Sequence, residues 1–150
     1  MITMVQNDRP QVTELAAPRW GGGMSETVTP APSRLQVEQA LWDLDGGRLN
    51  DLYLRTSDDL TFLGICGGAG RYQVTIADHH KRFAQLVNTQ NPSKVEESIM
   101  CGGQLTPFPH RYLVDFDTAL SAAVHYLRAG EADPTLTWEW YGLIRCRQPP

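Results

Sequence analysis

Apolar positions recur at two different periods along this 150-residue chain, and the change of period divides it into elements. Val37, Ala40, Leu41 and Leu44 follow the i, i+3, i+4, i+7 spacing of a helix that buries one stripe. Ser33 with Gln36 three residues on forms a capping box at its start, and Gly46-Gly47 marks its end. At about 100° per residue, Leu35 and Trp42 fall on the opposite side of that helix, near Glu38 and Gln39.

From Leu49 the period drops to two. Leu52 and Leu54 alternate with Asp51, Tyr53 and Arg55, the pattern of a half-buried strand. Ser57-Asp58-Asp59 turns the chain into Leu60 to Cys66, apolar on both faces and therefore central in a sheet. Gly67-Gly68-Ala69-Gly70 turns it again into Tyr72, Val74 and Ile76, and a further short strand spans Phe83 to Val87. Connections this short favour an antiparallel meander. Val95 to Cys101 reads as a strand whose Glu96 and Glu97 suit an exposed edge. After Gly102-Gly103 and a proline tract, Tyr112, Val114 and Phe116 alternate into Asp117 as an N-cap. Leu120, Ala123, Val124 and Leu127 line a second helix capped by Gly130, and Thr137 to Leu143 forms a last strand.

These elements predict an α+β fold: a mainly antiparallel sheet of about six or seven strands with two helices packed on one face. The domain is expected over residues 33–143. Residues 1–32 carry Pro10, Pro18, Pro30, Pro32 and Gly21-Gly22-Gly23 without apolar periodicity, so a flexible tail is expected there. Within it Trp20 is the one residue suited to docking, and Met24 is an alternative start. Residues 144–150 form a second, C-terminal tail.

The composition is that of a soluble globular protein, 41% hydrophobic and 20% charged. A net charge of −4 gains nothing from counterion release on phosphates, which argues against direct nucleic-acid binding and suits a basic partner. Cys66, Cys101 and Cys146 are odd in number and widely spaced, so all three are expected as reduced thiols of a cytoplasmic protein. No secretory signal is visible, and no stretch reaches the ~20 apolar residues of a membrane span.

Candidate chemistry is sparse. The glycine loop from Gly64 to Gly70 resembles a phosphate cradle, but a strand pattern follows it where a cradle needs a helix N-terminus. Its Gly67 and Gly68 are read as turn formers. Adjacent His79 and His80 point to opposite faces if extended, so they do not share an ion. His110 and His125 read as surface residues. Cys66 and Cys101 each precede a glycine pair, and neither has a histidine or helix start nearby in sequence to lower its pKa. No catalytic residue, metal or cofactor is expected. In Trp138-Glu139-Trp140-Tyr141 the tryptophans share one strand face, with Trp138 expected to close the core.

The order of these features resembles immunity protein family one of bacterial polymorphic toxin systems. The resemblance runs from about Leu49 to Trp140. It rests on Gly67-Gly68 followed by Tyr72, on Gly102-Gly103-Gln104 with its prolines, and on Phe116-Asp117, Gly130 and Pro134 to Trp138-Glu139. It implies a non-enzymatic cytoplasmic inhibitor of a cognate toxin, often a nucleic-acid deaminase. Trp42, Asp58, Asp59, Glu139 and Trp140 are expected to contact that partner, while Gly67, Gly68, Gly102, Gly103, Gly130 and Trp138 serve the fold. The alternative is a small ligand- or metal-binding domain or enzyme using the glycine loops with His79 and Cys66. A third reading is a structural interaction domain unconnected to any toxin.

Overall fold

A computed structural model describes residues 11–19, 25–58, 60–78, 80 and 82–143. Trp20, Gly21-Gly22-Gly23, Met24, Asp59, His79 and Cys146, all singled out above, lie outside the described residues, as do residues 144–150. The elements are β1 (Val12–Arg19), β2 (Ser25–Pro30), α1 (Arg34–Trp42), β3 (Asp51–Thr56), β4 (Phe62–Gly68), β5 (Arg71–Ala77), β6 (Arg82–Leu86), β7 (Glu96–Cys101), β8 (Gln104–Pro109), α2 (Phe116–Ala129) and β9 (Trp138–Leu143). Seven strands form one antiparallel sheet in the order β2-β1-β3-β4-β5-β6-β9, and β7-β8 make a separate hairpin. This is the expected α+β architecture.

Both helices pack on one face. Val37, Leu41 and Leu44 at α1, with Ala119, Ala122, Ala123 and Tyr126 of α2, meet Leu52, Leu54, Leu63, Ile65, Val74 and Ile76 of the central strands. Ser33 and Gln36 form the reciprocal capping box that opens α1. The helix closes earlier than Gly46-Gly47, with Asp43 as its C-cap, because Asp45 bridges to Gly68 and draws the chain across the sheet. Trp138 packs against this core and donates its Nε1–H to the Asp133 carbonyl at 2.9 Å.

Two expectations are corrected. The flexible tail over 1–32 gives way, where described, to β1 and β2, with Leu15 and Ala16 buried. Nothing in their hydrophobic pattern announces them, since β2 is almost wholly exposed and holds its place by main-chain pairing with β1. Pro30 sits at the end of this edge strand, where a missing N–H costs least. The second correction concerns α2. Its N-cap is Asp115, whose carboxylate accepts the Thr118 N–H at 2.9 Å, and not Asp117. Residues His110–Tyr112 form a short 3-10 turn where a strand was expected, and Val114 bridges Tyr72. The buried stripe of α2 is accordingly rotated toward Ala119, Ala122, Ala123 and Tyr126, with Leu120 and Leu127 at its margin.

Three aspartates anchor turns and are held below the ordinary carboxyl range. Burial alone would raise Asp78, but the Arg82 N–H and guanidinium and the His80 N–H outweigh it. The Thr118 hydroxyl and N–H lower Asp115. Burial would raise Asp133, against which act Thr135, the Ser121 hydroxyl and His125. A carboxyl depressed in the fold stabilises it above the unfolded value, about 3.9, and loses that contribution as pH falls through the folded one. Urea midpoints should therefore drop below about pH 4, and Asp78→Asn should make the drop shallower. An equally steep acid limb in that variant would remove Asp78 from this account.

Candidate functional site

The face of the sheet turned away from the helices carries the more distinctive surface. Strand alternation and register place its side chains in rows that cross the molecule. One row runs Val28, Ala16, Tyr53, Gly64, Thr75, Gln85 and Glu139 from β2 to β9. The next runs Pro30, Glu14, Arg55, Phe62, Ala77 and Phe83. Small residues alternate with large ones, and the rings lie across the small ones. A Cβ on Gly64 would stand 3.2 Å from the Tyr53 ring. Phe62 and Phe83, flanking Ala77, meet edge-on at 6.4 Å, and Tyr53 meets Phe62 at the same distance. The result is a partly exposed aromatic ridge on a floor of Gly64 and Ala77.

Depressions flank the ridge. One, of about 400 Å³, is lined by Glu14, Arg55, Asp58 and Thr61 together with Tyr53 and Phe62. The other, of about 250 Å³, lies toward Gln73, Thr75 and the Cys66–Cys101 pair. On the outer side Arg55 reaches two acids, Glu26 at 2.5 Å and Glu14 at 3.3 Å, and stacks 5.6 Å from the Tyr53 ring. The Tyr53 hydroxyl is pushed up chiefly by burial and then by Asp51. At the β9 end, Glu139 accepts from Arg111 at 2.9 Å and from the Tyr112 hydroxyl at 2.6 Å, while the Tyr141 hydroxyl donates to Gln85 at 2.5 Å. Burial, reinforced by Glu139, raises the Tyr112 phenol strongly.

The β7-β8 hairpin is fastened to one corner of this face. Its two-residue loop, Gly102-Gly103, has positive φ at both positions, 63° and 76°, as a type I′ turn requires. Both loop N–H groups are also used: Gly102 donates to the Asp51 carboxylate at 2.9 Å and Gly103 to the Asn50 side chain at 3.2 Å. Beside them Cys66 and Cys101 form a disulfide, with Cα atoms 5.1 Å apart. The expectation of reduced thiols fails for this pair, because sequence spacing carries no sign that β4 and β7 pack together. Asp51, Cys66 and Cys101 place three potential ligand atoms within 4.8 Å of one another. With the sulfurs bonded to each other and the carboxylate accepting Gly102, the cluster acts as a clip. Cys66 is therefore not the free nucleophile that the enzyme alternative needs.

The residues picked from sequence do not converge. Trp42 lies on the helix side, 69% exposed, its ring edge-on to Phe116 at 5.2 Å. Asp58 caps the β3–β4 turn through the Leu60 N–H and Thr61 hydroxyl and lines the larger depression. Glu139 belongs to the open face, whereas Trp140 points the other way, with the Arg82 guanidinium 4.5 Å from its ring. His110 and His125 lie beside Glu97 and Glu131. Sequence reasoning passed over Tyr53, Phe62 and Phe83. Their signal was present as aromatic side chains out of phase with the leucines and isoleucines of the same strands.

Among the described residues, no helix is long and apolar enough to cross a membrane. Residues 12–140 match the family described as Immunity protein Imm1. That span begins at β1 and ends within β9, and so takes in both helices and all of the sheet but the last three residues of β9. No curated protein and no solved structure matches the chain.

Proposed function

Because this chain belongs to the Imm1 family of immunity proteins, we propose that it binds a cognate toxin, a nucleic-acid deaminase, and neutralises it by covering the active site. The family match over 12–140 is the observation that carries the immunity role. It reaches from β1 into β9 and includes the two N-terminal strands that hydrophobic patterning does not reveal.

Chemistry and charge support the finer points. A deaminase that acts on polynucleotide must admit a flipped or single-stranded base to a zinc-bound pocket. An inhibitor that fills the entrance needs no reactive group of its own, only complementary shape and charge. Toxins that grip phosphates are basic, and the net charge of −4 here complements them. The inhibitor acts without chemistry of its own, through an interface of about 1,600 Å² in total.

Co-expression with the product of the adjacent open reading frame tests the proposal. Growth should be restored, the two purified proteins should form a 1:1 complex, and deamination of a single-stranded oligonucleotide should stop. Absence of any complex would remove the immunity reading. A complex with a toxin that does not deaminate would leave immunity standing and remove the deaminase.

A further inference from the structure

We infer that the toxin docks on the open face of the sheet, across the Tyr53–Phe62–Phe83 ridge, and not on the helix layer. This inference rests on the immunity reading above. It adds the surface and the chemistry of the partner: a basic patch that brings arginine or lysine side chains onto the rings and between the flanking acids.

Three observations carry it. The first is composition. Interface centres are rich in aromatic side chains set among satisfied polar groups, and this face offers three rings in edge-on contact with hydrogen-bonded Gln85, Tyr141 and Glu139 at one end. The rings are held by strands and by each other, so little conformational freedom remains to be lost on binding.

The second is charge. Glu14, Glu26, Asp58 and Glu139 outnumber Arg55 and Arg111 on and around this face, leaving an acidic excess beside a partly exposed aromatic surface. The Arg55 guanidinium already sits over Tyr53 with two acids in reach, which displays the geometry a partner's arginine would adopt over Phe62.

The third is size. Six strand spacings of about 4.8 Å and strands of about 20 Å give the face a projected area of roughly 600 Å². That is close to the ~800 Å² each partner contributes to a stable complex. The helix layer offers less. Its exposed Leu35 and Trp42 stand seven residues apart on a single stripe of α1, and Trp42 is braced by Phe116.

The test uses the full chain and the purified toxin domain from the adjacent gene. Three variants are titrated: Phe62→Ser with Phe83→Ser, Glu14→Lys with Glu26→Lys, and Trp42→Ala. The aromatic pair should weaken binding by about 30-fold or more, as loss of a central anchor does. The charge reversal touches only the outer edge of the sheet and leaves the core intact. It should weaken binding about tenfold, mostly through the association rate and less so at high salt. Trp42→Ala should change affinity by less than about threefold, as contacts outside an interface do.

Thermal unfolding of each variant establishes that it is folded. If the aromatic pair does not fold, the charge reversal decides alone. Wild-type affinity in a folded charge-reversed or aromatic variant, or loss of binding on Trp42→Ala, overturns the inference while leaving immunity intact. Failure of the wild-type chain to bind the toxin removes the immunity reading, and this inference with it.

Discussion

Alanine at Gly68 should cost about 4 kcal/mol of stability, a large share of the ~5–15 kcal/mol that holds a domain folded. Gly68 has φ +147°, and a Cβ there would stand 2.3 Å from the Gly46 nitrogen and 2.7 Å from the Asp45 carbonyl carbon. These are backbone atoms and cannot rotate away. The loop after α1 would have to lift, breaking the Asp45–Gly68 bridge and pulling at buried Leu44. Gly70 provides the control. Its φ is also positive, +86°, but a Cβ there meets nothing, so Gly70→Ala should cost only about 1 kcal/mol of backbone strain. Urea denaturation of both variants measures the difference. Equal losses would mean that close approach of the loop is not why glycine is needed at 68.

Opening the Cys66–Cys101 bond should have the next largest effect. The bond joins positions 35 residues apart, for which the chain-entropy argument gives about 3–4 kcal/mol. It also fastens β7-β8 to the sheet, alongside the bonds from Gly102 to Asp51 and Gly103 to Asn50. Cys66→Ala with Cys101→Ala should lower the urea midpoint, and wild-type protein in reductant should fall to the same value. Amide exchange in β7 and β8 should accelerate more than in β3 to β5, since the hairpin has only a small cluster of its own around Ile99, Leu113 and Phe108. An identical wild-type midpoint with and without reductant would show that the bond contributes nothing.

Much of the site lay within reach of the sequence but was passed over. Tyr53, Phe62 and Phe83 sit on the outward phase of their strands, a phase that the sequence pattern marks only for Tyr53, between Leu52 and Leu54, since Leu60 to Cys66 reads as apolar on both faces. Outward aromatics are common enough singly that none demanded explanation. Only the register reveals that Phe62 and Phe83 meet over Ala77 and that Tyr53 lies over Gly64. Glycine marked a turn after β4 in the sequence, but Gly67 and Gly68 themselves lie within β4, paired with Tyr72 and Arg71, and the turn falls on Ala69-Gly70. Gly102-Gly103 form a hairpin loop whose N–H groups feed Asp51 and Asn50, whereas Gly67 and Gly68 yield space to neighbouring backbone. Helical phase alone places Trp42 opposite the buried stripe of α1, but only the tertiary structure shows that no other segment covers it among the described residues.

Taken alone, the order of residues determined both helices, the central strands and the glycine-rich connection between β4 and β5. Each of these follows from the phase of apolar positions within one element, or from glycine's tolerance of positive φ. The addition of β1 and β2, the Cys66–Cys101 pairing and the aromatic ridge were decided by the tertiary structure. Each depends on which strands lie side by side and in what register. Main-chain pairing at the edge of β3 is indifferent to side-chain pattern, and proximity between β4 and β7 arises only when the hairpin folds back onto the sheet.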